Sequence, residues 1–356
     1  MRIKTLLTSL VIVFYIGTSM AQEKIPIWND VHVKGARKVG LIPFIADENP
    51  DGKAIIVCPG GSYYWLDKKV EGDSVAMWLR DQGITTFVLH YRTAGVPAFA
   101  WRYRYLFRGY QYPDMQTDAQ RALQWVREHA EEYHINPEKV GMLGFSAGGH
   151  LVLSAAFFKD HDYLKQVGVV TETSLQPAFV ASLYPVVTMA EDCVHKRSRR
   201  GLLGDTHVND AKLQDSLSLE RHVPKDCPPI FLVNCVDDPV VDYRNSVLLD
   251  EALTAAGVNH RYIQYATGGH GFGMSNYKGS AECHAWKEEF VKWLKEIGFS
   301  NINNDYQRHR IPVHRTNQSL SRRLAAQCFG LFGGSFPILP ADVQELWHPN
   351  RQNQAY

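Results

Sequence analysis

The chain has few of the features that would mark a specialised scaffold. Its six cysteines, Cys58, Cys193, Cys227, Cys235, Cys283 and Cys328, are scattered through 356 residues, which excludes a dense disulfide framework and leaves no His/Cys spacing of the structural zinc type. No metal and no cofactor is expected. Cys58 and Cys235 end apolar runs and read as buried thiols, whereas Cys193 and Cys227 are candidates for a bridge. An excess of one charge is also missing: 38 Lys and Arg face 37 Asp and Glu, a formal net charge of +1, which argues against a nucleic-acid or acidic-membrane partner. No internal repeat is present. Lysine is absent from 301–356, a stretch rich in Asn, Gln, Arg and Pro. It reads as a poorly ordered C-terminal tail, with a docking segment over 325–339 as the alternative.

Long apolar runs are lacking too. Leu6 to Ile16, preceded by Arg2 and Lys4 and followed by Ser19-Met20-Ala21, is too short to span a bilayer and has the layout of a secretory signal, with a retained anchor as the competing reading. Residues 1–21 are therefore expected to be removed and the mature protein to be exported, either secreted or periplasmic. No membrane contact is expected after cleavage, and no cysteine follows the cleavage site to accept a lipid.

What is present is a serine between glycines, Gly144-Phe145-Ser146-Ala147-Gly148-Gly149-His150, between the strand-like run Lys139 to Leu143 and the small and apolar helical run Ala147 to Phe158. A nucleophile mounted on a strand-to-helix turn needs glycine at 144 and 148, where a side chain would meet the opposing backbone. At ordinary composition G-x-S-x-G arises by chance in about one chain in ten of this length, so its neighbours decide. Cys58-Pro59-Gly60-Gly61-Ser62-Tyr63 follows the apolar run Ala54 to Val57, where an oxyanion loop belongs; the expected donors are the NH groups of Ala147 and of Gly61 or Ser62. Ile230 to Val241 runs from an apolar strand into Asp237-Asp238, and Gly268-Gly269-His270-Gly271-Phe272-Gly273 follows the run Arg261 to Tyr265. Serine, acid, histidine is the chain order of an α/β-hydrolase triad. His150, one helical turn from Ser146, reads as a packing residue.

Apolar runs at 54–57, 85–91, 140–144, 179–184, 230–234 and 261–265 alternate with helical stretches, the last helix covering about 280–297. This predicts a mostly parallel central sheet with helices on both faces and a ligand crevice at the carboxyl ends of the strands, in one catalytic domain over 22–300.

From about Ile25 to Ser300 the chain resembles the α/β-hydrolase esterases of bacterial polysaccharide degradation, the acetyl xylan and feruloyl-type esterases. The resemblance rests on the motifs above together with Leu183-Tyr184-Pro185-Val186-Val187 and Ser198 to Gly204. It implies a serine esterase acting on acetyl or other short acyl esters of plant polysaccharide or oligosaccharide, with Ser146 as nucleophile, His270 as general base and Asp238, by the pattern D-x-x-V-P, as the acid in preference to Asp237. Ser62 stands where the family carries a third glycine, and Asp242 where it carries proline. The aromatic and arginine-rich stretch Trp101 to Pro113 is a candidate wall of the site, with Tyr63, Trp101, Tyr103 and Tyr105 as candidate substrate contacts. Two other functions share the triad order or the scaffold: a serine peptidase of prolyl-oligopeptidase type, against which the lack of a preceding propeller-sized domain counts, and a catalytically silent binding protein.

Overall fold

Among the described residues seven short runs pair into one sheet. In the computed structural model, which describes residues 23–100 and 108–300, they are β1 (Gly40–Phe44), β2 (Ala54–Cys58), β3 (Thr85–His90), β4 (Val140–Phe145), β5 (Val180–Leu183), β6 (Ile230–Cys235) and β7 (His260–Tyr265). Their spatial order is β1-β3-β2-β4-β5-β6-β7; only β1 runs antiparallel to its neighbour. Strands β2, β4, β5 and β6 are buried along their whole length, as expected where helices cover both faces of a parallel sheet.

The alternation of side chains along each strand sorts the core into two layers. Ala54, Ile56, Val140, Met142, Ile230 and Leu232 face one layer. Ile55, Val57, Leu143, Phe145, Phe231 and Val233 face the other. Helices α1 (Ser74–Arg80) and α9 (Trp286–Glu296) cover the second layer through Val75, Leu79, Trp286, Phe290 and Trp293. Helices α3 (Asp114–Glu128), α4 (Ala147–Phe157) and α8 (Arg244–Ala255) cover the first through Met115, Leu123, Leu151, Leu249 and Leu253. The short helices α2 (Val96–Phe99), α5 (Tyr163–Gln166), α6 (Lys196–His207) and α7 (Ala211–Ser216) lie in the connections. Each large apolar side chain closed off from water in these layers contributes about 1.5–3 kcal/mol.

Strand β1 had no counterpart in the sequence reading. Gly40-Leu41-Ile42-Pro43-Phe44 lacks clean alternation and contains a proline, which cannot donate to a ladder and is confined to sheet edges. There it pairs with Phe87 of β3 while β1 closes that edge. The last helix is shorter than its pattern suggested, because Cys283–Ala285 forms a separate 3-10 turn before Trp286. Cys193 and Cys227, the candidate bridge, are free thiols, as are Cys58, Cys235 and Cys283. The expected signal segment 1–21, the loop residues Trp101, Tyr103 and Tyr105, and the tail 301–356 lie outside the described residues.

Candidate functional site

Strand β4 ends at Phe145 and helix α4 begins at Ala147, so Ser146 alone makes the turn. Its φ of 53° and ψ of −118° are costly for a residue with a side chain. The surroundings hold it there: Ser146 NH donates to Leu183 O (2.9 Å), and its carbonyl accepts from His150 NH (3.1 Å) and Val186 NH (3.2 Å). The flanking glycines are sterically required. A Cβ at Gly144 would stand 2.2 Å from the Gly148 carbonyl oxygen, and one at Gly148 would stand 2.1 Å from that of Cys58.

Two loops at the carboxyl edge converge on this serine. Ser146 Oγ lies 3.0 Å from His270 Nε2, and His270 Nδ1 lies 2.7 Å from Asp238 Oδ2. A carboxylate can only accept, so the proton of the neutral ring sits on Nδ1 and Nε2 is free to take the serine proton. Asp238 is fixed in turn, since its Oδ1 accepts from the NH groups of Val240 (2.8 Å) and Val241 (3.0 Å). Its side chain is 1% exposed. Neighbouring Asp237 turns away and accepts from Gly269 NH (2.8 Å) and Gly268 NH (3.2 Å), which pins the loop that carries His270. The two adjacent carboxylates therefore do different things. One meets the imidazole and the other holds its loop. Beneath Gly268 lie the buried thiols Cys235 and Cys283, whose sulfurs leave no room for a Cβ there.

The glycine loop after β2 packs directly on the elbow: a Cβ at Gly60 would lie 2.6 Å from Phe145 O and 2.9 Å from Ser146 Cβ. The NH groups of Gly61, Ser62 and Ala147 have no acceptor among the described residues, as the first turn of a helix allows for Ala147. Ser62 adopts φ 55°, a conformation glycine would take freely and serine takes at some cost.

A buried carboxylate that the sequence reading missed joins this loop to the histidine loop. Glu71 Oε2 accepts from Gly60 NH (2.8 Å), and Glu71 Oε1 accepts from Tyr184 OH (2.9 Å). Tyr184 OH accepts from Gly273 NH (3.1 Å), and its ring packs edge-on against His270, with centroids 4.7 Å apart, and against Phe272. Burial raises the pKa of Glu71, while the charge of His270 and the bonds from Gly60 and Tyr184 act in the opposite direction. Glu71 sits in a π-helical turn, Lys69–Asp73, of the kind often found at functional sites. No motif flags it in sequence, because its partners are 11 and 113 positions away.

Tyr63 does not belong to a substrate surface. It is fully buried, and its hydroxyl donates to His150 Nδ1 (2.8 Å) while His150 Nε2 donates to Leu217 O (2.9 Å). His150 is thus a core histidine, its pKa pushed down to about 4 by burial. Another histidine does stand close enough to feel the site. His195, bonded through Nδ1 to Ser198 Oγ (2.8 Å), is held near pKa 4 by burial and then by the charge of His270. Among the described residues no group of three His, Cys, Asp or Glu could hold a metal ion.

Comparison with known proteins bears on the family and the fold. The BD-FAE family profile matches residues 45–253. The chain is 30% identical over 263 residues to the acetylxylan esterase of Xylanibacter ruminicola, covering 73% of this chain and 48% of that one. It is 30% identical over 257 residues to endo-1,4-beta-xylanase B of Butyrivibrio fibrisolvens, covering 70% and 38%. The chain thus spans less than half the length of these two relatives. The crystal structure of an acetyl ester-xyloside bifunctional hydrolase from Caldicellulosiruptor lactoaceticus superposes with a TM-score of 0.67 at 32% identity, over 80% of this chain and 99% of that one. A thermophilic esterase from Thermogutta terrifontis shares the fold, with a TM-score of 0.63 at 21% identity over 80% and 95%. With its seven-stranded, mostly parallel sheet and its serine elbow, the chain belongs to the BD-FAE family of α/β-hydrolase esterases.

Proposed function

We propose that the protein is an exported serine esterase that removes acetyl or other short acyl groups from plant-type polysaccharide or its oligosaccharides through an acyl-enzyme. The observation that carries this reading is the unbroken chain Ser146 Oγ, His270 Nε2, His270 Nδ1, Asp238 Oδ2, with 3.0 and 2.7 Å steps at the carboxyl edge of the sheet. Serine is a weak nucleophile at neutral pH. His270 takes its proton as Oγ attacks the ester carbonyl, and Asp238 stabilises the imidazolium that forms. The negative charge that develops on the carbonyl oxygen is met by Ala147 NH and by Gly61 or Ser62 NH, each donor contributing a few kcal/mol to lowering the barrier. His270 then gives its proton to the departing sugar hydroxyl. A water, deprotonated by the same imidazole, releases the acid and restores Ser146.

The relatives' names support the acetyl group and the xylan-type alcohol. Export rests on the charged and apolar residues of the first 21 positions. The test measures acetate and ferulate released from acetylated and feruloylated xylan, beside p-nitrophenyl esters of rising chain length. Acetate release, with rates that fall as the acyl chain lengthens, supports the reading; no release from any acylated substrate by folded protein refutes it.

A further inference from the structure

Two strands from the serine, the carboxyl end of β3 opens into a cavity of about 880 Å³ whose charge an acetyl ester does not account for. Among the described residues seven Lys or Arg line it and no Asp or Glu does, in a chain whose charges balance to +1. Arg92 is neutralised there by Asp118 (2.9 Å) and Asp114 (2.7 Å), and Lys24 Nζ donates to the Arg37 carbonyl (3.0 Å). The side chains of Lys34, Arg37, Lys38, Lys68 and Arg108 form no ion pair within 4.0 Å among the described residues, although Asp114 feels the charge of Lys34 and Asp73 that of Lys68. His90 on the same wall reports the resulting field. Its pKa is pushed down to about 4 by burial and then by the charges of Lys68 and Lys24.

The cavity also offers flat apolar faces. Tyr110 lies under Lys38 Nζ (5.7 Å to the ring centroid) and Arg92, and Trp65 packs edge-on against Phe99. The Trp65 and Tyr64 NH groups both donate to Gly61 O, so this wall is built on the oxyanion loop itself. Strands β3 and β4 flank β2, which puts their ends about 10 Å apart, within reach of a short oligosaccharide.

We infer that this cavity is a subsite for a carboxylate-bearing sugar, a uronic acid carried by the substrate, held by Lys34, Arg37 and Lys38 beside the ring of Tyr110. The inference rests on the esterase reading above and deepens it. Ammonium and guanidinium groups bind carboxylates through charge-assisted hydrogen bonds, and an aromatic face suits the apolar side of a pyranose. The subsite would favour acylated chains decorated with acid over neutral ones.

The experiment compares two acetylated xylo-oligosaccharides that differ only in a uronic-acid branch, at low and high salt, in the full chain. A KM about five- to tenfold lower for the acidic one is expected, the size of one or two partly exposed ion pairs, and added salt should erase the difference. Lys34→Gln, Arg37→Gln and Lys38→Gln together should erase it too; all three side chains are exposed, and the melting temperature checks that the variant folds. Equal KM values for the two substrates in the native protein, or a preference that survives the three substitutions, overturns the subsite while leaving the esterase reading intact. Calorimetry on the Ser146→Ala protein with the acidic oligosaccharide, glucuronate and inorganic phosphate separates the two ideas further. Binding of the acidic sugar in competition with glucuronate supports the subsite even if no ester is turned over, and binding of phosphate alone refutes the uronate assignment.

Discussion

Replacing Asp238 by asparagine is the sharpest probe of the site, because the two oxygens of this carboxylate have different partners. Oδ1 accepts from Val240 and Val241 NH, and Oδ2 accepts from His270 Nδ1. An asparagine has one acceptor oxygen. The two fixed backbone donors claim it, since an NH2 group facing them would leave donors unsatisfied at about 1–3 kcal/mol each. The NH2 group is then presented to His270 Nδ1, which must accept, so the ring proton moves to Nε2 and points at Ser146 Oγ. In that tautomer the histidine cannot take the serine proton. Loss of this kind in a triad costs about 10⁴ in kcat, or about 5.5 kcal/mol of barrier. Asp237→Asn disturbs only the bonds to Gly268 and Gly269 on an exposed loop and should lower kcat by less than about tenfold. The assay is steady-state hydrolysis of p-nitrophenyl acetate by both variants at one pH near 8, with circular dichroism to establish folding. Equal losses, or a larger loss for Asp237→Asn, would refute the assignment of the imidazole partner to Asp238.

Ser146→Ala should fold normally and retain only the residual rate that the oxyanion donors and binding give; burst kinetics with p-nitrophenyl acetate should vanish, and near-native turnover would remove Ser146 from the mechanism. Glu71→Ala leaves Gly60 NH and Tyr184 OH without their acceptor and should lower kcat by about ten- to a hundredfold with little change in KM. Glu71→Gln, whose single acceptor oxygen keeps the bond from Gly60 but not that from Tyr184 OH, should recover part of it; equal loss in both variants would contradict a positioning role. Gly148→Ala drives a methyl to 2.1 Å from the Cys58 carbonyl and should destabilise by about 3 kcal/mol or more, seen as a lowered melting temperature. Buried His150 has its pKa depressed to about 4, so the unfolded state, near 6.5, takes up the proton first. The stability of the neutral ring is fully present above about pH 6.5 and is lost, up to about 3 kcal/mol, as pH falls toward 4. Denaturant melts at pH 7 and 5 should therefore show a shallower pH slope for His150→Gln than for the native chain, and identical slopes would count against it.

The sheet, the elbow and the order of the serine, acid and histidine loops were legible in the sequence because each is written locally. An apolar run ended by glycine and a polar loop specifies a strand end wherever it occurs. Ser146 is bracketed by glycines that the backbone itself demands, and the last helix carries its own apolar stripe. Strand β1 was not legible, because Pro43 is compatible with a strand only at an edge, and edges are a property of the sheet. The choice between Asp237 and Asp238 rested on resemblance to a family pattern. Tertiary structure decided which of the two reaches His270, through the turn that ties Asp238 to Val240 and Val241. Tyr63 looked like a substrate contact from its place after the glycine loop, and only folding buries it against His150. The bond between Glu71 and Tyr184, and the gathering of Lys34 to Lys38 with Lys68 and Arg108 round one cavity, could not be read from the chain. Each joins segments far apart in sequence, so no spacing records it. The energy of a buried carboxylate or of clustered like charges depends on what surrounds them in space.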